Sequence, residues 1–316
     1  MRFGYACIAL GVPRTTNKTC RLKSARPERL RDLIADNLSA LEEVLLYNQR
    51  VGLLRFRISS EIIPFGGHEV NRLPWWDMFA SAFRYLGRIV RDTGQVVSMH
   101  PGHFTVLNSP DAEVLAASRR DLEWHDRFLS AMELGPEHKL VVHVGGGYGD
   151  FAAAGRRFVE TVAGLPEGLR RRLVVENEEH GWTSARVLPV ARAAGVPVVL
   201  DAFHLKLSDG PGADLRGAAE AALATWSPAD GTPKMHLSSQ APGRRPGTHA
   251  DDIDPADFLE LLDATAGLAD FDVMFECKRK DLAVLEVIRT AEAAGRLQGA
   301  GGNTRGAWLR SPAGVG

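Results

Sequence analysis

Eight short apolar runs are spread along this chain, each separated from the next by enough residues for a helix. They fall at 2–10, 53–59, 95–100, 139–144, 172–176, 197–201, 233–237 and 271–276, and they predict eight strands. The runs are continuously apolar rather than alternating, as strands covered on both faces are. After Pro27, Leu30, Leu33, Ile34, Leu38, Leu41, Leu45 and Leu46 recur at spacings of three and four, which predicts a helix. Helices are also expected over 76–93, 112–134, 187–194 and 281–295, the third of these stopped by Gly195. Strands alternating with helices over this length favour a single-domain (β/α)8 TIM barrel over an open doubly wound sheet. The barrel is assigned to 1–297. The Gly-rich, aperiodic 298–316 is expected to be a disordered tail.

The bulk composition narrows the functional classes. Hydrophobic residues make up 45% of the 316 residues, ample for a core, and the formal net charge of −1 sets up no global field for nucleic acid. Local basic clusters remain, at Arg14, Lys18, Arg21, Lys23 and Arg26, at Arg244-Arg245 and at Lys278-Arg279-Lys280. Three cysteines without a CxxC argue for a reducing compartment and against a disulfide framework. The N-terminal segment reads as a first strand rather than a signal peptide, and no apolar run reaches the ~20 residues of a membrane span. A cytoplasmic protein is expected, nucleoid-associated if the source is prokaryotic, with neither a membrane nor an obligate protein partner. No dinucleotide fingerprint or Walker loop is present, and Gly145-Gly146-Gly147 is a bare glycine turn.

Most of the runs end on or beside a His, Asp or Glu. The candidates are His68, His100, His143, Glu176, Asp201, His204, His236, His249 and Glu276. Any one of them alone reads as a hydrogen-bonded structural histidine or a helix cap. Placed together on one barrel they converge, because the carboxyl ends of parallel strands share one mouth. Imidazole plus carboxylate without thiolate suits Mn²⁺, Zn²⁺, Fe²⁺ or Co²⁺ better than Ca²⁺. A shared carboxylate permits a two-metal clamp suited to phosphodiester hydrolysis. Sugar isomerisation also uses paired metals on barrels and stays open at this point.

Longer motifs go beyond fold-level periodicity: GYACIAL, TTNKTCRL, NLSALEEVLLYN, FRISSEIIPFGGH, SMHPGHFTVLNSP, HVGGGYGD, VVENEEHGW, VVLDAFH, KMHLSSQ, RPGTHA and DVMFECKRKD. On these the chain resembles the UV damage endonucleases, relatives of endonuclease IV, from about residue 2 to 287. The resemblance implies one ion held by His100, His143 and Glu176. It implies a second held by Glu176, Asp201, His236 and Glu276, with Glu176 bridging, and a third held by His204 and His249. Three Mn²⁺ are implied, with Zn²⁺ or Co²⁺ as alternatives. His68 matches a histidine near the scissile phosphate, and Lys234 a lysine that is carboxylated in the family. Tyr5 matches a position lining the pocket for the lesion dinucleotide.

Two departures from the family pattern stand out. The residues that probe the duplex are Gln-Tyr in the family and His103-Phe104 here, which keeps an aromatic wedge but loses a hydroxyl. Ile8-Ala9 replaces a polar pair. Asn17, in the loop after the first strand, and Arg244 and Arg245 are further candidates for contact with phosphate. The expected function is therefore a metal-dependent DNA-repair endonuclease acting on damaged double-stranded DNA. The expected cut is 5′ to cyclobutane dimers, 6-4 photoproducts or abasic sites, by multi-metal hydrolysis that leaves a 3′-hydroxyl. The rivals are a TIM-barrel sugar isomerase and a non-catalytic protein that binds damaged DNA.

Overall fold

The computed structural model describes residues 1–299 and 308–310. Eight parallel strands close into a barrel in sequence order: β1 (Phe3–Cys7), β2 (Arg55–Ile58), β3 (Val96–Met99), β4 (Leu140–Val142), β5 (Leu173–Glu176), β6 (Val198–Asp201), β7 (Lys234–Leu237) and β8 (Asp272–Phe275). The seam closes where Phe3 of β1 pairs with Val273 of β8. Every expected strand is present, each shorter at its ends than its apolar run. The helix Pro27–Val51 starts on proline, whose missing N–H is no loss in a first turn, and ends on Gly52 at φ 79°. Helices Ala80–Thr93, Ala112–Ala131, Ser184–Ala194 and Lys280–Ala293 match expected ones. Helices Phe151–Ala163, Leu215–Leu223 and Pro255–Ala264 had no periodic signature assigned to them.

Alternation along the strands sorts the side chains into two layers. Phe3 and Tyr5 share the outer face of β1. Phe3 packs edge-on to Phe258 of the helix Pro255–Ala264, with ring centroids 5.6 Å apart. The inner face carries small residues, and a Cβ on Gly4 would sit 1.8 Å from the Arg55 carbonyl oxygen. Inside the barrel, Val141, Val174 and Val199 form an apolar cluster separate from the main core. Each lies two residues before a candidate ligand, His143, Glu176 or Asp201, so this cluster is the floor under that part of the site. Near the amino ends of the strands, buried Asp272 accepts from Arg55 Nε at 2.6 Å and Arg2 Nε at 2.9 Å.

Where disorder was expected after residue 297, the described part is ordered. Leu297–Gly299 and Trp308–Arg310 form an antiparallel pair, β9 and β10. Trp308 N donates to the Met1 carbonyl, and the Trp308 ring lies 6.1 Å from that of Phe3. An apolar residue that covers the barrel's end has a reason to be held that composition does not reveal. The rest of the expected tail lies outside the described residues. Among the described residues, no helix is long and apolar enough to cross a membrane.

Candidate metal centre

The carboxyl ends of the strands deliver the expected residues to one rim. His100 follows β3, His143 follows β4, Glu176 ends β5, Asp201 ends β6, His236 lies in β7 and Glu276 follows β8. Three sets of side chains bring potential ligand atoms within 4.8 Å of one another: His100, His143 and Glu176; Glu176, His236 and Glu276; and Glu176, Asp201 and His204. Glu176, 2% exposed, belongs to all three. Its Oε2 lies 3.1 Å from His100 Nε2 and its Oε1 2.7 Å from His236 Nδ1. In these sets Asp201 appears with Glu176 and His204, whereas the resemblance implies its place with Glu176, His236 and Glu276. His204 starts the helix Ala202–Asp209, which Asp201 caps by accepting from His204 N at 2.8 Å.

The histidine tautomers are set from outside the cluster. His100 Nδ1 donates to the Pro101 carbonyl at 3.0 Å, and His204 Nδ1 donates to the Asn177 carbonyl at 3.0 Å. A carbonyl only accepts, so Nε2 is the atom each ring turns toward an ion, and in His204 it must first give up the proton that Asp201 and Glu176 hold on the ring. Three buried atoms of the set have no hydrogen-bond partner among the described residues: Asp201 Oδ2, His236 Nε2 and His143 Nδ1. Oxygen and imidazole nitrogen left this way in a buried site are what a divalent cation ligates, so the residues fit the implied metals.

Charge is unevenly distributed over the rim. Burial works to raise the Glu176 carboxyl, but His236, His100 and His143 hold it well below the usual range. Burial also opposes ionisation of Glu276, yet the Arg57 guanidinium and His236 hold it at about 2. Asp201 is pushed up to about 7 by burial, with Glu176 and Glu276 adding repulsion. Burial lowers His143 to about 4. His204, despite burial, is raised to about 9 by Asp201 and Glu176. Burial, helped by Arg55 and Arg57, drives Lys234 well below the ordinary lysine range, and its Nζ donates to Ser98 Oγ at 3.1 Å.

Sequence reasoning missed two participants. Arg57 Nη1 pairs with Glu276 Oε1. Glu178, raised to about 7 mainly by burial, lies with Oε1 3.3 Å from His143 Nδ1. Arg57 was within reach from sequence, because it sits two residues after Arg55 on the same inward face. Glu178 lies in the VVENEEHGW motif but only the strand-end Glu176 was selected from it.

The remaining candidates are dispersed. His249 stands beside the cluster, its ring 6.3 Å from that of His204 and its Nδ1 3.4 Å from Ser238 Oγ. His68 is exposed on the loop after β2 and accepts from Val70 N at 3.0 Å. Among the described residues, no hydrogen bond or ion pair joins it to the ligand set. Cys7, Arg57, Ser60, His100, His103 and Glu276 contribute to a cleft of about 280 Å³ at the rim. His103 and Phe104 are exposed on its lip, Phe104 at 66%. Arg244 and Arg245 are exposed on the loop after β7, whose turn Gln240 braces by accepting from Gly247 N and donating to the Arg245 carbonyl. Asn17 is half-buried in the loop after β1.

Tyr5 corrects an expectation. Its side chain is fully buried on the outer face of β1, and its hydroxyl donates to Asn48 Oδ1 of the helix Pro27–Val51 at 2.6 Å. It lines no surface that a dinucleotide reaches. Alternation decides this: Tyr5 faces as Phe3 does, away from the interior. The glycine turn after β4 is a bend rather than a phosphate loop. Gly145 has φ 109°, and a Cβ there would meet Asn108 Oδ1 at 2.3 Å.

A closed parallel barrel that gathers imidazoles and carboxylates around one shared glutamate at its carboxyl rim defines a (β/α)8 protein with a candidate multi-metal centre. Comparison with known proteins narrows this. The family described as UV-endonuclease UvdE matches residues 1–301, and the chain belongs to that family. It is 31% identical over 291 residues to the UV DNA damage endonuclease of Clostridium perfringens (strain 13 / Type A), covering 92% of this chain and 70% of the relative. The crystal structure of SacUVDE superposes with a TM-score of 0.87 at 29% identity, over 93% of this chain and 99% of that one. Endonuclease IV from Thermus thermophilus, at 18% identity and a TM-score of 0.56, covers 93% of this chain and 98% of its own and shares the fold.

Proposed function

We propose that the protein is a DNA-repair endonuclease that hydrolyses the phosphodiester bond 5′ to UV photoproducts and leaves a 3′-hydroxyl. Cyclobutane dimers and 6-4 photoproducts are its substrates, and abasic sites are further ones. The observation that carries this reading is the membership of Glu176 in three ligand sets at once, in a chain of the UV-endonuclease UvdE family. His100, His143, Glu176, Asp201, His204, His236 and Glu276 would hold divalent ions, three Mn²⁺ in this reading, with His249 beside the third and Zn²⁺ or Co²⁺ as alternatives. When bound, such ions supply Lewis acidity toward a phosphoryl oxygen and an activated water.

The protein's own groups do the rest. Arg57 keeps Glu276 ionised. Glu178 stands beside His143, its Oε1 3.3 Å from Nδ1, and adds an acidic group to that side of the rim. Burial disfavours the charged form of Lys234, and the neutral amine is the form that reacts with CO₂: its nitrogen bonds the carbon, one proton leaves, and the product is an anion beside Ser98. His68 contacts the scissile phosphate, and Asn17, Arg244 and Arg245 seat flanking phosphates. His103 and Phe104 enter the duplex where a lesion has weakened stacking, which is least costly at damaged bases. The test is nicking of UV-irradiated supercoiled plasmid by purified protein whose metal content has been measured. Mn²⁺-dependent nicking above the undamaged control is expected, and its absence from metal-loaded protein overturns the reading.

A further inference from the structure

The helix Ala112–Ala131 supplies no candidate ligand, yet one of its faces grips both loops that shape the rim. Ser118, Asp121, Trp124 and His125 recur at helical spacing and are buried. Ser118 Oγ accepts from Val106 N at 2.8 Å, and Asp121 Oδ2 accepts from Thr105 Oγ1 at 2.5 Å. These bonds hold the segment directly after His103 and Phe104. On the other side, His125 Nε2 lies 2.9 Å from Ser60 Oγ, which itself lies 2.9 Å from the carbonyl of His100. Trp124 donates to Asp121 Oδ1 at 2.8 Å and stacks on His125 with ring centroids 3.7 Å apart, so the four groups form one body.

The protons in this chain can be counted. His125 Nδ1 meets the Asp121 carbonyl at 2.7 Å, and a carbonyl only accepts, so Nδ1 carries a proton. Burial lowers His125 to about 4, which leaves Nε2 an acceptor at neutral pH. Ser60 then has one hydroxyl proton for two acceptors, His125 Nε2 and the His100 carbonyl. The hydroxyl has two settings, and only one of them holds the His100 backbone.

We propose that Asp121 and His125 are positioning residues that couple the duplex-probing lip at His103-Phe104 to the metal-ligand rim at His100, with Thr105 and Ser60 as the two handles. Movement of the lip by a duplex pulls on Asp121 through Thr105, shifts His125, and moves the Ser60 proton between its two partners. Lesion insertion and metal affinity are thereby linked, and linkage requires that each strengthen the other by the same factor. This inference rests on the proposed function, since it needs both a metal rim and a DNA-probing lip.

The experiment measures Mn²⁺ affinity of the full chain by calorimetry, with and without a lesion duplex made uncleavable at the scissile phosphate. In the unaltered protein the duplex tightens Mn²⁺ by about fivefold or more. Thr105→Val is near-isosteric and lies outside the ligand set. It lowers that factor to the part that direct contact between phosphate and metal supplies, while leaving Mn²⁺ affinity without DNA within about twofold. His125→Phe lowers it as well, and His125→Gln, which keeps a polar atom toward Ser60, restores part of it. A structural role alone would reduce thermal stability without changing the factor. If T105V keeps the unaltered factor, the inference is overturned while nicking and the proposed function survive. If the unaltered protein binds no Mn²⁺, both fall.

Discussion

Removing Arg57 tests the electrostatic design of the rim without touching a candidate ligand. In the metal-free protein Arg57 is the principal counter-charge of Glu276, with side-chain exposures of 13% and 14%. Glu276 sits at about 2, against a reference of 4.5, because Arg57 and His236 outweigh burial. That difference corresponds to about 3 kcal/mol at neutral pH. Breaking a buried pair from one side costs about 3–5 kcal/mol on general grounds, so the two figures agree at the lower end. Arg57→Leu should therefore destabilise the metal-free protein by about 3 kcal/mol at pH 7, a fall in Tm of about 4–5 °C for a chain of this size. The folded-state value of Glu276 is depressed. Its stabilisation is present above the unfolded value and is lost as pH falls from about 4.5 toward 2, so the deficit narrows in acid. The assay is thermal and urea unfolding in chelator across pH 2.5–8, with R57L/E276L as the second variant, which should recover more than half of the loss. If R57L stays within about 1 kcal/mol of the parent at pH 7, or the double variant is no better than the single one, the pairing argument is wrong.

Three further outcomes are expected. Ion binding must displace protons from His204, at about 9, and from the fraction of Asp201, at about 7, that is still protonated. Apparent Mn²⁺ affinity should therefore rise with pH up to about 9, and calorimetry in buffers of different ionisation enthalpy should show proton release; a pH-independent affinity would contradict this. Phe104→Ala, at an exposed position, should leave stability within about 0.5 kcal/mol while weakening binding of lesion duplex by about tenfold, as loss of one stacking face does; unchanged lesion binding in an anisotropy titration would remove Phe104 from the interface. Arg244→Ala/Arg245→Ala should weaken lesion and undamaged duplex alike and make the slope of log affinity against log salt shallower by about two, and an unaltered slope would mean that neither meets a phosphate.

The strands were legible because burial on both faces writes itself as an uninterrupted apolar run, and the ligands because they stand where those runs stop. Glu176 and Asp201 close β5 and β6 in this way. Five helices among the described residues were not legible: Phe151–Ala163, Glu167–Arg172, Ala202–Asp209, Leu215–Leu223 and Pro255–Ala264. Phe151–Ala163 and Leu215–Leu223 are 13 and 9 residues long against 25 in Pro27–Val51, so each offers too few turns for a periodic stripe to stand out in the sequence. Tyr5 misled because residue type does not state which face of a strand a side chain takes. His68 and His249 show the limit at loops: a strand end has a defined place on the rim, whereas a loop residue's distance from the rim depends on contacts far away in sequence. Trp308 was obscured by its glycine-rich neighbours.

The interior of the barrel divides the work between its two sides. Around β4, β5 and β6 the ligands stand on Val141, Val174 and Val199, an apolar floor that excludes water and leaves Glu176 and Asp201 poorly solvated. Around β2, β7 and β8 the buried surface is polar instead, with Arg55, Lys234 and Asp272 below and Arg57 beside Glu276 at the rim. A cluster of carboxylates with apolar residues on every side would be driven into protonation by burial, and further by mutual repulsion, as Asp201 already shows at about 7. A cluster with arginines on every side would hold its carboxylates too firmly to exchange them for cations. The asymmetric arrangement keeps Glu176 and Glu276 ionised while leaving His143, His236 and Asp201 with buried atoms that only a further partner can satisfy. On this argument, exchanging the three floor valines for threonine should solvate the carboxylates, lower Asp201 toward the ordinary aspartate range and weaken cation binding without altering a single ligand.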